Sequence, residues 1–189
     1  AQVKVRILDP ENTSEWYEWT VIDHDWDPKA RWVQFVWGKP DELLISISLD
    51  NMSEPGLMYL IWRSFSKRNI SISQVSTSET SLTLTCDKNN NGHIDKAIKV
   101  LKKVLRIEEN DERNFIKKQE KNALVYVIWQ NMKWDIWILA DVADTLKYEK
   151  INTKMITQWA EERAIIIWVD EKDRKKAIRV LHKKLIENK

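Results

Sequence analysis

Apolar and polar residues change their period several times along the chain, and each change marks an element. Leu43 to Leu49 alternates and is rich in Ile and Leu, which predicts a strand. Pro55 suits the first turn of a helix, and Met58, Ile61, Trp62 and Phe65 then fall at i, i+3, i+4 and i+7, one apolar helical face. Ile70 to Val75 and Ser81 to Cys86 alternate with period two around the polar Ser76-Thr77-Ser78-Glu79, which predicts an antiparallel pair. Ile94, Ala97, Ile98, Leu101 and Leu105 supply a second helical face. The predicted order is strand, helix, strand, strand, helix.

That order occurs twice. Lys96-Ala97-Ile98-Lys99-Val100-Leu101 returns 80 residues later as Lys176-Ala177-Ile178-Arg179-Val180-Leu181, and Asn51-Met52 returns as Asn131-Met132. The second copy runs through a strand at Ala123 to Ile128 and a helix on Leu139, Val142, Ala143 and Leu146. Strands at Ile151 to Thr157 and Ala164 to Val169 come next, then a helix on Arg174, Ala177, Ile178, Leu181 and Leu185. Between the copies, Arg106 to Lys121 is a charged stretch in which Phe115-Ile116 can anchor a short strand; a charge run of this kind is a solvated face and receives no binding role. A βαββαβ unit needs a fourth strand, and the second copy ends after its second helix. The early apolar run Trp32 to Val36 supplies the missing strand. The expected fold class is therefore α+β, two ferredoxin-like βαββαβ domains in a two-layer sandwich with the first inserted in the second. Residues 31–37 and 122–189 then form the second domain, 38–121 the first, and 1–30 a preceding segment.

Composition narrows what such a fold can do. With 31 Lys+Arg against 29 Asp+Glu, interspersed, the net charge of +2 gives no footprint for nucleic acid. No apolar run approaches the ~20 residues of a membrane span, so no membrane partner is expected. The lone Cys86 rules out an intramolecular disulfide framework and suits a reducing compartment, so a cytoplasmic location is expected. The start at Ala1 rather than Met leads to the expectation of a fragment of a longer protein. Glycine is scarce, with 3 residues where average usage gives about 13, and Trp is abundant at 11.

Asn51-Met52-Ser53-Glu54-Pro55-Gly56, Asn69-Ile70-Ser71-Ile72, Thr77-Ser78-Glu79 and Lys176-Ala177-Ile178-Arg179-Val180-Leu181-His182, in that order, resemble the tandem ACT domains that form the regulatory region of aspartate kinases. The resemblance covers Trp32 to the C-terminus, and Val3 to Ile7 and Pro10 to Ile22 are similar to the segment that ends the kinase domain. It implies an enzyme that phosphorylates the side-chain carboxylate of L-aspartate with ATP, the first step toward lysine, threonine and methionine. The kinase domain, with its ATP site, is not in these residues, so no cofactor is expected in this chain. The resemblance further implies a homodimer through ACT pairing, a kinase domain or catalytic subunit as partner, and lysine or threonine as effector at the seam. A stand-alone ACT-type amino-acid-binding regulator without catalysis is the alternative.

An amino-acid ligand needs donors for its carboxylate, and a loop entering a helix offers free backbone N–H groups and a positive dipole end. In the first copy this is Asn51, Met52, Ser53, Pro55, Gly56 and Leu57, expected to face Asn69, Ser71, Ser73, Gln74 and Val75. In the second it is Gln130, Asn131, Met132, Asp135 and Ile136, expected to face Asn152 and Thr153. Lysine-binding relatives often carry an acidic residue at the position of Ser73, which favours threonine or no effector.

Other patterns carry less. Asp87 to Ile94 has oxygen-bearing residues at positions 1, 3 and 5 of a calcium loop and glycine at 6, but Ile98 stands where the bidentate Glu belongs, so a strand-to-helix turn is expected. His24, His93 and His182 have no metal-site spacing. His24, among Asp23, Asp25 and Asp27 and near Pro28, reads as an exposed turn. Cys86 lacks a catalytic partner nearby in sequence, and Glu161-Glu162 reads as a solvated turn. Trp19, Trp129, Trp137 and Trp159, and also Trp32 and Trp62, stand where the family has glycine. The expectation is that the source reads the codon UGA as glycine while the translation wrote tryptophan, at sites that need φ > 0 or close approach.

Overall fold

The computed structural model describes residues 5–7, 20–22, 33–108, 110–129, 137–158 and 164–187. The elements are β1 (Val5–Ile7), β2 (Thr20–Ile22), β3 (Val33–Ser48), α1 (Leu57–Ser66), β4 (Ile72–Thr77), β5 (Ser81–Asp87), α2 (Asn91–Val104), β6 (Phe115–Trp129), α3 (Ile138–Tyr148), β7 (Thr153–Gln158), β8 (Ala164–Asp170) and α4 (Glu171–His182). β1 and β2 pair with each other, and the rest form a six-stranded sheet in the order β4-β5-β3-β6-β8-β7.

Two long strands carry both repeats. The expected strands at Trp32–Val36 and Leu43–Leu49 are one continuous β3, and the short strand expected at Phe115 is the start of β6. The first half of β3, Val33 to Lys39, pairs with the second half of β6, Trp129 to Leu124; its second half, Leu44 to Ser48, pairs with the first half of β6, Gln119 to Phe115. β5 lies only on the second half of β3, and β8 only on the second half of β6. Each βαββαβ unit therefore takes its fourth strand from the far half of the other unit's long strand, and the first unit is inserted in the second.

The units have separate cores. Leu43, Ile45, Ile47, Ile61, Phe65, Leu84 and Leu101 are among the buried residues of the first, and Val36, Val125, Val142, Leu146, Ile167 and Leu181 among those of the second. β8 is buried on both faces, because Ile166 and Trp168 alternate with Ile165, Ile167 and Val169 and join Leu44 and Leu124 in a third cluster. Gly38 permits close packing of α4, since a Cβ there would come within 2.6 Å of Ile178 Cδ1.

Two helical faces differ from expectation. Leu57, Ile61, Ser64 and Phe65 are buried on α1, and Ile138, Val142 and Leu146 on α3. Met58, Trp62, Leu139 and Ala143 are exposed. A 3.6-residue period fits either phase, and the phase that starts on the first helical residue wins because it buries Leu57 and Ile138 as well. Among the described residues no helix is long and apolar enough to cross a membrane.

Candidate functional site

The connection from β3 to α1 is where backbone donors collect. Asn51, Ser53, Glu54, Pro55 and Gly56 are exposed, while Met52 is half-buried against the first core. Gly56 precedes α1 with φ 89°, a left-handed value that favours glycine, and no side chain caps the helix. No acidic residue lies in the first turn of α1, whereas α3 has Asp141 in its first turn. The N-terminus of α1 is thus the more open of the two to an anionic group. Leu57 is 4% exposed and belongs to the core, so its side chain is not available to a ligand.

The loop is held from the side by a segment to which the sequence assigned no role. Asp50 N–H donates to Asn114 Oδ1 at 2.8 Å, and Asn114 Nδ2 donates back to Asp50 Oδ2 at 3.2 Å. Asn114 is fixed in turn by Asp111, whose carboxylate accepts from the backbone N–H groups of Arg113 and Asn114 and from Asn114 Nδ2. Those bonds, the Asn114 backbone first, hold the Asp111 carboxyl below the usual aspartate range. The signal available in sequence was Asp111-Glu112-Arg113-Asn114, a turn-forming set inside the charged stretch.

The strand half of the expected site is divided. The end of β3 lies at the β4–β5 turn, where Leu49 N–H donates to Thr80 O at 3.3 Å, so the loop sits near the C-terminal end of β4. Gln74 and Val75 belong to that half of β4, and Val75 packs against the core. Asn69 and Ser71 lie at the other end of α1, a 10-residue helix and hence ~15 Å long. With Trp62, Phe65, Ser66, Ile70 and Ile72 they line an open cavity of about 410 Å³. Asn69 also has a structural task, closing α1 in the left-handed conformation at φ 53°. Ser73 is half-buried in β4. Within one chain, then, the loop does not face Asn69 and Ser71.

In the second unit Gln130, Asn131, Met132, Asp135 and Ile136 lie outside the described residues. Asn152 is exposed before β7, and Thr153 begins that strand. Lys154 occupies the place that Ser73 has in the first unit, and it is already engaged: its Nζ is 2.5 Å from Asn122 Oδ1 and 2.7 Å from Asp170 Oδ1. Among the described residues no group of three or more His, Cys, Asp and Glu is placed to hold a metal ion. Asp87 instead starts a turn, accepting from Asn89 N–H at 2.8 Å. His24, its neighbouring aspartates and Glu161-Glu162 lie outside the described residues. His182 bonds Glu187 at 2.8 Å.

Trp19, Trp32 and Trp159 also lie outside the described residues. None of Trp62, Trp129 and Trp137 has φ > 0: the left-handed non-glycine residues are Asp41, Asn69, Arg106, Lys121 and Lys150. The need for φ > 0 is therefore not what marks those three positions. Trp129 and Trp168 each bury an indole N–H that finds no partner among the described residues.

The two repeated units share two long strands, and residues 126–185, which lie in the second unit, match the family model of the ACT domain. The relatives are aspartate kinases. The chain is 26% identical over 152 residues to an aspartokinase of Candida albicans, covering 79% of this chain and 26% of that protein, so it spans about a quarter of the curated relative it matches. In three dimensions it is similar to the aspartate kinase of Clostridium acetobutylicum, with a TM-score of 0.78, 22% identity, and coverage of 89% of this chain and 38% of that one. It is also similar to the regulatory subunit of aspartate kinase from Thermus thermophilus, with a TM-score of 0.67, 17% identity, and coverage of 81% of this chain and 97% of that one. The chain thus has the architecture of an aspartate kinase regulatory region.

Proposed function

We propose that this chain is the regulatory region of an aspartate kinase and senses an end-product amino acid for feedback control of that enzyme. The phosphorylation of L-aspartate by ATP would take place in a kinase domain or catalytic subunit to which this region is coupled. We place 31–37 and 122–189 in one ACT domain and 38–121 in the other; the split pairing of β3 supports this division, with Gly38 and Lys39 still paired to the second unit. The observation that carries the sensing function is the N-terminus of α1, which offers Gly56 and an uncapped, acid-free first turn beside an exposed polar loop.

The loop and the strand start belong to one site only across two chains. β4 is an edge strand, and antiparallel pairing with the edge of a second chain brings the start of the partner strand to the end of β4, hence to the loop. A homodimer through ACT pairing therefore joins Asn51–Gly56 of one protomer to an edge-strand start of the other. Ser73 carries no charge to pair with a lysine ammonium, so threonine is the better supported of the two effectors. Titration calorimetry with lysine and threonine tests this. Threonine binding that is lost in Gly56→Val, with the dimer intact, is the expected result. Binding of neither amino acid by the dimeric protein would leave the region without a sensing role.

A further inference from the structure

Asp41 and Lys121 stand on the two strands that the units share, one on each, and both are left-handed, with φ 58° and 61°. Neither is glycine, and an L-residue in that region is strained because its Cβ crowds the following carbonyl oxygen. They directly precede Glu42 and Asn122, which are paired with each other across the ladder and are both fully buried. The β3–β6 register slips between Lys39 and Glu42 and again between Glu42 and Leu44. Bulges of this kind bend a strand and re-aim its remaining residues.

Polar contacts hold this bend from both sides. Lys39 pairs with Glu42, and Lys154 binds Asn122. The Asp41 carboxylate accepts from Lys88 Nζ at 2.9 Å, at the entry to α2 of the first unit. The Asp41 backbone N–H donates to Glu171 Oε2 at 3.4 Å, at the start of α4 of the second. One residue is thus tied to both units while its own backbone turns the strand between them. In the six-stranded sheet the units are joined only through β3 and β6, so any change in their relative angle passes through these residues.

We infer that residues 39–42 and 119–122 form a hinge between the two units, in which the left-handed pair Asp41 and Lys121 fixes the inter-unit angle. Unlike sensing, this assignment requires no effector. Asn tolerates the left-handed region and should keep the setting, whereas Gly admits many others.

The test is electron–electron spin distance measurement in a Cys86→Ala background, with labelled chains diluted in unlabelled protein. Nitroxides at Tyr59→Cys on α1 and Ala140→Cys on α3 report across the units; Tyr59→Cys with Lys99→Cys on α2 reports within the first. Asp41→Gly/Lys121→Gly is expected to at least double the width of the inter-unit distribution and leave the intra-unit width unchanged. Asp41→Asn/Lys121→Asn is expected to match the parent in both. An inter-unit width that does not grow with glycine, or grows no more than the control, overturns the hinge. Loss of folding in the glycine variant, judged by circular dichroism, overturns it equally, because the pair would then maintain the fold rather than set an angle.

Discussion

Asn69 and Lys150 occupy the same place in the two repeats: each follows a helix, each is left-handed at φ 53° and 56°, and each is followed by a buried isoleucine. Ile70 N–H reaches back to Phe65 O at 3.2 Å and Ile151 N–H to Leu146 O at 2.9 Å, the bond that closes a helix when its terminal residue turns left-handed. Glycine is the residue best suited to that position, and lysine pays more than asparagine for holding it. Lys150→Gly is expected to stabilise the protein by about 0.5–1 kcal/mol and Asn69→Gly by less. Urea denaturation followed by circular dichroism measures both, and a destabilised Lys150→Gly would contradict the argument.

Lys154 links β7 to the shared strand through Asn122 and to β8 through Asp170. Its hydrogen bond holds the Asp170 carboxyl below the ordinary value of 3.8. Because the folded value is depressed, the associated stability is present above the unfolded value and is lost as pH falls through the folded one. Lys154→Met should therefore be less stable than the parent at neutral pH, with the gap closing as the solution is acidified through the aspartate range. Thermal melts at a series of pH values would show this, and a gap that stays constant into strong acid would argue against it.

Cys86 is fully buried in β5, and burial, reinforced by the nearby Glu42 carboxylate, pushes its thiol up to about 12. Thiolate is the reactive form, so the native protein should leave an aromatic disulfide reagent unreacted at pH 8, and one thiol per chain should react after unfolding in guanidinium. Rapid labelling of the folded protein would place Cys86 outside the core.

Trp137 is 68% exposed and takes the N-cap of α3, where the first repeat has Gly56 at the N-cap of α1. Its backbone, φ −93°, suits any residue, so Trp137→Gly is expected to change stability by only a few tenths of a kcal/mol. If UGA is read as glycine in the source, mass spectrometry of the protein isolated from its native cells will find glycine at positions 129 and 137. Peptides with tryptophan there would end that hypothesis.

The repeat and its insertion were legible in the sequence because they rest on period and order, which survive without coordinates. Ile61, Phe65, Val142 and Leu146 could be placed in the cores from helical spacing alone. The phase of the helical faces was not legible: Met58 and Trp62 satisfy the same spacing as Leu57 and Ile61, and only packing on the sheet distinguishes them. Nor could sequence show that the strands around Val36 and Leu43 are one, since they are joined into a single bulged strand only by β6 pairing along its length. For the candidate site, sequence order pointed to the Asn51–Gly56 loop, but Asn114 bonds Asp50 beside it from 64 residues away, a separation that no local pattern spans.

Because each half of β3 and of β6 serves a different unit, a single cut cannot separate two intact domains. Cleavage within 119–122 would leave an N-terminal piece without most of the sheet beneath α4, and a C-terminal piece with an open edge where Val33 to Lys39 belongs. Either piece alone should be a poor folder, while the two mixed should reassociate into one particle through the strand each lacks. Protein expression boundaries for this region are constrained by the same fact: one drawn at residue 42, although it lies ahead of the whole first repeat, would remove a strand from the second.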